Sequence, residues 1–170
     1  MARPPRIPNW LPRDRPTVYF ITFCVEGRRA ILANEKTWQI SLAVLERLDQ
    51  WGVLAAIAMP DHLHLLAAPL NDREASITAF SKWFKRWFNE AYWRDAKDCR
   101  PSVPDGASSG VSQKLLTIWQ EGCFDHLLRS NESLSEKWEY LRQNPVRADL
   151  VSNPEDWPYQ FAFNSEDAKL

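Results

Sequence analysis

The spacing of apolar residues divides the N-terminal half of the chain into a strand and a helix. Residues 17–25 are almost entirely β-branched or aromatic, which predicts a first strand. Over residues 35–51 the apolar positions recur at helical spacing. Asn34 offers an N-cap for this helix and Gly52 a stop, so the pattern predicts a helix that extends to Trp51.

The pattern then changes to that of a hairpin. Residues 53–59 form a short apolar run, which is typical of a buried strand, and Pro60 and Asp61 favour a turn after it. Residues 62–67 alternate between polar and apolar, as expected of the returning strand.

The second half of the chain predicts two further helices. Residues 74–94 place an apolar stripe on one helical face: Ile77, Phe80, Phe84, Trp87 and Ala91. Residues 115–128 are predicted to be extended, at least over 116–119. A third helix is expected from near Asn131, where Ser133 and Glu136 have capping-box spacing, to about Asn144, because Pro145 disfavours helical geometry in the residue before it. The aromatic tail around residues 157–161 is expected to pack back on the body.

The order strand, helix, strand, strand, helix, strand, helix predicts an α+β fold, a ferredoxin-like antiparallel sheet with helices packed on it. Residues 17–165 are expected to form a single domain. Residues 1–16, rich in Pro and Arg, predict a flexible basic N-terminal arm, and residues 98–113, rich in Ser, Pro and Gly, a flexible surface loop.

Composition narrows the class of protein. Hydrophobic residues make up 45% of the chain, which predicts a globular rather than a disordered protein. No apolar run is long enough to span a bilayer, and the N-terminus lacks the apolar core of a signal peptide, so a cytoplasmic protein is expected. The 3 cysteines show no CxxC spacing, which argues against a disulfide framework and a zinc site.

Charge gives a mixed indication. The net charge of −1 counts against a nucleic-acid-binding protein. The basic residues are nevertheless clustered, and distribution matters more than the sum. The clusters lie at the N-terminus and in the second predicted helix: Arg3, Arg6, Arg13 and Arg15, then Lys82, Lys85, Arg86, Arg94 and Lys97.

His62 and His64 are the first candidates for chemistry. Residues two apart on a strand point to the same face, so both imidazoles project together while Leu63 and Leu65 face the core. Two neutral imidazoles side by side form half of a divalent-metal site. The alternative is a pair of surface or hydrogen-bonded histidines.

Tyr140 and Asn144 are the second pair. On the third predicted helix, the apolar stripe consists of Leu134, Trp138 and Leu141, and Tyr140 lies more than roughly 100° from its centre. Asn144 follows one turn later on the same flank. A hydroxyl nucleophile and an amide oxygen could therefore act on one phosphate. A half-exposed tyrosine beside an ordinary C-terminal asparagine is the alternative.

The second predicted helix is the third candidate, as a DNA-binding surface. Lys82, Lys85, Arg86 and Asn89 have the spacing of one helical edge, and Trp83 and Trp93 lie near it. Basic groups mixed with aromatic rings suit single strands, since phosphates take the charge and bases stack on the rings. A solvated helix face with core tryptophans is the alternative.

These segments resemble a known family. Residues 58–66, Ala-Met-Pro-Asp-His-Leu-His-Leu-Leu, resemble the HUH motif (His, hydrophobic, His) of the IS200-like transposases. Residues 139–151, Glu-Tyr-Leu-Arg-Gln-Asn-Pro-Val-Arg-Ala-Asp-Leu-Val, resemble the tyrosine helix of the REP-associated tyrosine transposases. The resemblance extends over about residues 17–160 and implies an HUH nuclease fold.

The resemblance also implies roles for individual residues. His62 and His64 would bind a divalent metal, Mg²⁺ or Mn²⁺, with Asn144 at the position of the third ligand. Tyr140 would be the nucleophile. Lys82, Lys85 and Arg86, with Arg13 and Arg15 of the arm, remain the DNA-binding candidates. His126 lies in a family-like segment, and no role follows for it beyond a structural one.

The function expected from these observations is a single-stranded DNA endonuclease and transposase. It would cleave and rejoin DNA through a 5′-phosphotyrosine at palindromic repeat hairpins, without a membrane partner. A monomer is favoured, with a dimer as the alternative. The alternatives are a catalytically silent, domesticated hairpin-DNA-binding protein and a metal-dependent phosphoesterase without a covalent step.

Overall fold

The computed structural model describes residues 17–72, 75–95, 117–128 and 134–162. In this part of the chain, five strands form one antiparallel sheet. The elements in chain order are β1 Tyr19–Cys24, α1 Glu35–Arg47, β2 Trp51–Ala58, β3 His62–Pro69, α2 Ile77–Asp95, β4 Phe124–Leu127, α3 Leu134–Arg142, α4 Asn144–Arg147 and β5 Gln160–Ala162. Two short 3₁₀ turns, Glu26–Arg28 and Pro154–Asp156, join them.

The strand order is β4-β1-β3-β2-β5. The crossover from β1 through α1 to β2, with β3 inserted between the two strands, is the split βαβ arrangement of ferredoxin-like folds. The predicted α+β class and ferredoxin-like antiparallel sheet are confirmed.

One face of the sheet, called here the α1–α2 face, carries the larger core. α1 and α2 cover it, and the odd-numbered residues of β3, Leu63 and Leu65, point into it. Phe84 of α2 stacks on Phe23 of β1 with ring centroids 4.7 Å apart. Burying such aromatic rings contributes much of the folding free energy of a domain of this size.

The opposite face, called here the histidine face, carries His62, His64 and a smaller core. Leu66 on β3 belongs to this core, and Leu141 of α3 packs on it from outside. Trp157 closes the cluster and donates from Nε1 to the carbonyl oxygen of Ala58 at 2.9 Å. The aromatic tail therefore packs back on the body as predicted.

The first helix ends earlier than predicted. It runs from the Asn34 N-cap to Arg47, because Leu48 leaves helical geometry and its N–H bonds to Leu45 in a tightened last turn. Trp51 begins β2 and packs its ring 4.9 Å from that of Phe80. The prediction that the helix reaches Trp51 is wrong. Trp51 stands at the next position of the helical spacing, but it belongs to β2 and is buried as a strand residue.

The buried stripe of α2 also differs by one position from the stripe predicted from the sequence. Phe88 is fully buried, whereas Trp87 is only partly buried. Trp119 explains the shift, since its ring lies 4.9 Å from that of Phe88 and extends the core beyond the sheet.

The C-terminal part contains more structure than the sequence predicted. Trp119 forms an isolated bridge with Val25, and the regular strand lies further on, at Phe124–Leu127. α3 ends just before Gln143, and a short α4 follows around Pro145. β5 is a strand that the sequence did not predict; it pairs with the outer edge of β2.

Some predictions lie outside the described residues: the arm over 1–16, the loop over 98–113 and the start of α3 at 131–133. Within the described residues, no helix is long and apolar enough to cross a membrane.

Candidate active site

The two histidines lie at the start of β3, near the middle of the sheet. β3 pairs with β1 on one side and with β2 on the other. Both imidazoles project to the histidine face, with ring centroids 4.6 Å apart and planes at 80°. Leu63, between the two histidines, and Leu65, directly after them, are fully buried on the other face. The alternation predicted from the sequence is therefore observed.

Each histidine is held through the same ring nitrogen. Nδ1 of His62 lies 2.6 Å from Oδ1 of Asp61, whose Oδ2 lies 3.1 Å from Nε of Arg28. Nδ1 of His64 lies 2.8 Å from the hydroxyl oxygen of Thr22 on β1. A partner at Nδ1 fixes the ring orientation and leaves Nε2 as the nitrogen for a metal.

His64 is a neutral imidazole over the physiological pH range. Burial is the main cause that lowers its pKa from 6.5 to about 3. The neighbouring His62 lowers the pKa further, as do Lys137 and Arg28, whereas Asp61 raises it. A neutral imidazole keeps a nitrogen lone pair, so His64 is ready to bind a metal at neutral pH.

Tyr140 lies on α3, which packs on the histidine face. Leu141, the next residue, is fully buried and holds the helix against the sheet. Tyr140 is 55% exposed because it projects from the other flank of the helix. The structure therefore places the tyrosine on the same side of the sheet as the histidines, accessible to a large substrate.

Asn144 lies one turn after Tyr140, at the start of α4, and Arg147 connects the two. The Arg147 guanidinium donates to the carbonyl oxygen of Tyr140 and to Oδ1 of Asn144, both at 2.6 Å. The same group lies 4.3 Å from the centroid of the Tyr140 ring. Arg147 therefore contacts both Tyr140 and Asn144.

A chain of contacts runs from the histidines to the tyrosine. The ring of Phe20 on β1 lies 5.2 Å from that of His64. Nζ of Lys137 on α3 lies 4.8 Å from the Phe20 ring centroid and 5.4 Å from that of Tyr140. The His64 ring and the Tyr140 ring are therefore joined through two intervening side chains.

The basic helix does not form the cationic edge that the sequence predicted. The Lys85 ammonium donates to the carbonyl oxygens of Gln120 and Gly122 and lies 5.6 Å from the centroid of the Phe23 ring. Burial lowers the pKa of this lysine. Asn89 likewise turns inward, and its Oδ1 accepts from the N–H of Ile118. Lys85 and Asn89 hold the segment that leads into β4 and do not form an exposed surface.

Lys82 and Arg86 remain exposed on α2, where Arg86 pairs with Glu90 and lies over the ring of Trp83. α2 covers the α1–α2 face, so these residues lie on the side of the sheet opposite the histidines. The structure does not bring them together with Tyr140. Arg13 and Arg15 are outside the described residues.

Sequence reasoning missed four residues around the site: Asp61, Thr22, Lys137 and Arg147. Two of them could have been found from the sequence. Asp61 directly precedes the first histidine, and Arg147 follows Asn144 by three residues, so each lies within reach of a site residue. Thr22 is 42 residues from His64 in the chain, so only strand pairing reveals their contact.

The donor set limits the kind of metal site. Among the described residues, no group of three or more His, Cys, Asp or Glu side chains could hold a metal ion. Two imidazoles therefore need an additional ligand of another type, such as the amide oxygen of Asn144. Mg²⁺ and Mn²⁺ both prefer oxygen ligands, and Mn²⁺ also accepts imidazole nitrogen, so the amide oxygen with water and phosphate oxygens would complete a site for either ion.

Comparisons with known proteins point to one branch of one family. No family model matches the chain. A Haemophilus influenzae relative named "Putative REP-associated tyrosine transposase" is 25% identical over 145 residues, which cover 84% of this chain and 77% of that protein. The REP-associated tyrosine transposase of Escherichia coli is 23% identical over 146 residues, covering 83% and 73%.

A solved structure shows the same fold. The structure of a REP-associated tyrosine transposase bound to a REP hairpin superposes with a TM-score of 0.64 at 18% identity, covering 94% of this chain and 82% of that one. The resemblance to the REP-associated tyrosine transposases, expected from two short motifs, is confirmed by the two relatives, and the solved structure shows the shared fold.

Proposed function

We propose that this chain is a single-tyrosine DNA transposase that cuts and rejoins single-stranded DNA beside hairpin-forming palindromic repeats. The observation that carries the proposal is the placement of Tyr140. It is exposed on the sheet face where His62 and His64 project, and side-chain contacts join it to His64. The relatives carry the name transposase, which supports an enzyme of this kind.

His62, His64 and Asn144 would hold a divalent cation, Mg²⁺ or Mn²⁺. The fit rests on the two imidazoles, whose Nδ1 atoms are already engaged by Asp61 and Thr22. A bound cation would polarise the scissile phosphate and stabilise its developing negative charge. Arg147 already donates to Oδ1 of Asn144, and this oxygen has a second lone pair that a metal can use.

Tyr140 would supply the nucleophile. Its phenol oxygen attacks the phosphorus and loses its proton, the bond from phosphorus to the 3′ oxygen breaks, and that oxygen takes up a proton. The products are a 5′-phosphotyrosine and a free 3′-hydroxyl. The phosphodiester energy is conserved in the covalent bond, so a 3′-hydroxyl can reverse the step and join strands without a nucleotide cofactor.

The substrate would be a DNA hairpin with a single-stranded flank. The structural relative was solved with a REP hairpin, and we extend that class of ligand to this chain. Phe124 supports a single-stranded flank, because it pairs across from Thr22 on the edge strand β4 and is 70% exposed. Thr22 also pairs with His64, so Phe124 and His64 lie opposite the same residue on neighbouring strands. The exposed ring offers a stacking surface for an unpaired base.

A denaturing gel tests the proposal. The chain would be incubated with labelled hairpin oligonucleotides and Mn²⁺, and a covalent protein–DNA band is expected. Tyr140→Phe and His62→Ala should both abolish the band, but only His62→Ala should weaken Mn²⁺ binding. Binding without cleavage would indicate the silent hairpin-binding protein, and cleavage without a band would indicate a phosphoesterase.

The same variants test the expected monomer. If each active site belongs to one chain, a mixture of Tyr140→Phe and His62→Ala proteins stays inactive. Restored cleavage in the mixture would show that two chains share an active site.

A further inference from the structure

Lys137 is a cation beside the Phe20 and Tyr140 rings, and it has no role in the mechanism proposed above. It lies on α3, one turn before Tyr140. Its ammonium approaches the rings of Phe20 and Tyr140 on two sides. The charge also reaches His64, whose pKa it helps to lower.

Within the described part of the chain, this ammonium has no counter-ion. No carboxylate of the described residues forms an ion pair with Lys137, whereas Arg142 on the same helix pairs with Glu139 and Glu155. Its side chain is partly buried against the sheet. A cation that is partly desolvated and unpaired attracts an anion strongly, since the low local dielectric strengthens the interaction.

We propose that Lys137 binds the scissile phosphate and neutralises the charge that develops on it as Tyr140 attacks. This inference rests on the proposed function. The geometry supports it, because the Lys137 ammonium lies beside the Tyr140 ring and beside Phe20, whose ring contacts that of His64. A phosphate positioned between the histidines and the Tyr140 hydroxyl would come within reach of this flexible side chain. Lys137 would then be a catalytic residue that touches the reacting group.

The competing explanation is that Lys137 only covers the Phe20 ring. Two substitutions separate the explanations. Lys137→Met keeps an apolar chain over Phe20 but removes the charge, whereas Lys137→Arg keeps the charge. Lys36→Met is a matched control, because Lys36 also lies over an aromatic ring, that of Tyr92 at 5.9 Å, on the opposite side of the sheet.

The experiment measures adduct formation and DNA affinity on the same hairpin oligonucleotide at saturating Mn²⁺. Lys137→Met should slow adduct formation roughly 100-fold, the scale for losing one transition-state donor, while the Kd for DNA changes by less than about threefold. Lys137→Arg should restore the rate to within about tenfold of the unsubstituted chain, and Lys36→Met should not change it. Mn²⁺ affinity should not fall in any of these variants.

A binding measurement provides a readout without cleavage. Once the cleaved linkage is mapped, an oligonucleotide with an uncharged methylphosphonate at that position is compared with the normal phosphate in Tyr140→Phe protein. The preference for the charged phosphate should become smaller when Lys137→Met is added, by no more than the roughly threefold change expected in the Kd, because the cation still favours the charged phosphate.

The outcomes distinguish two failures. If Lys137→Met forms the adduct as fast as the unsubstituted chain, or keeps the full preference for the charged phosphate, Lys137 only packs on Phe20 and the inference is wrong. If the unsubstituted chain itself forms no adduct with hairpin DNA, the proposed function fails and takes this inference with it.

Discussion

The two faces of the sheet differ in what their side chains do, although the same strands build both. On the α1–α2 face, aromatic rings stack in a fully buried core around Phe23, Phe84 and Phe88. On the histidine face, α3 covers only part of the sheet, and polar groups are held by specific partners. The difference indicates that one face carries most of the stability, whereas the proposed function assigns the chemistry to the other.

β3 shows this division within a single strand. Leu63 and Leu65 are fully buried on one side, and His62 and His64 point to the other. A shift of register by one residue would exchange the two sets, so the large core also fixes where the imidazoles project.

The largest expected effect comes from opening the core of the α1–α2 face. Phe84→Ala removes a fully buried ring that contacts Phe23 and Trp119. The unfolding free energy in urea should fall by about 3–5 kcal/mol, the usual cost of such a cavity. Tyr140→Phe, on the exposed flank of α3, should change it by less than about 0.5 kcal/mol. Equal losses in both variants would contradict the division between the faces.

Acid should destabilise the metal-free protein through His64. The folded protein keeps this imidazole neutral down to about pH 3, whereas the unfolded chain protonates it near pH 6.5. The unfolded state therefore binds more protons in this window, and the unfolding free energy should fall as the pH is lowered from 6.5, by about 1.4 kcal/mol per pH unit.

Urea unfolding with a chelator between pH 6.5 and pH 5 measures this slope. His64→Gln should lose this part of the pH dependence. Superimposable profiles for the two proteins would show that the His64 imidazole is not held neutral by its burial.

Asp61 tests whether the histidine face is pre-organised for a metal. Asp61→Asn weakens the contact that orients His62 and removes the ion pair with Arg28. Mn²⁺ affinity should fall by about 10- to 100-fold, as is usual when the partner of a ligating histidine is removed. Titration calorimetry measures the Mn²⁺ affinity. Asp49→Asn, just before β2, is the control, because it removes a carboxylate away from the histidines. An unchanged affinity would mean that Asp61 does not support the site.

The smallest effect is expected on the α1–α2 face, at the exposed residues Lys82 and Arg86. Replacing both residues by Glu should weaken the binding of single-stranded DNA a few-fold. The slope of log K against the logarithm of the salt concentration should become shallower by roughly 1.4, as expected for two lost phosphate contacts. Lys85 is left unchanged because it holds Gln120 and Gly122. A salt series with identical slopes would show that Lys82 and Arg86 do not contact the DNA.

The sequence predicted those features that depend on local periodicity. Alternation in β3 placed both imidazoles on one face, and helical spacing placed Tyr140 away from the buried Leu141. It could not predict where one element ends and the next begins within an apolar pattern. Trp51, for example, fits the helical spacing but is the first residue of β2. Three-residue strands such as β5 carry too little pattern of their own and form only because β2 offers an open edge.

The errors at the site have a different physical cause. Helical spacing grouped Lys85 with the exposed cations, but the ammonium is drawn inward by two carbonyl oxygens more than 30 residues away. Thr22 and Lys137 likewise gain their significance from elements that pack together only in the folded chain. Long-range partners of polar groups are not encoded in local spacing.

Mass spectrometry of the adduct tests the covalent role of Tyr140. The chain would be trapped with a hairpin oligonucleotide and Mn²⁺, then digested with nuclease and protease. We expect one modified peptide, with a nucleotide joined through its 5′ phosphate to the Tyr140 oxygen, and none from Tyr140→Phe protein. A nucleotide attached to any other residue, or an adduct that persists in Tyr140→Phe protein, would contradict it.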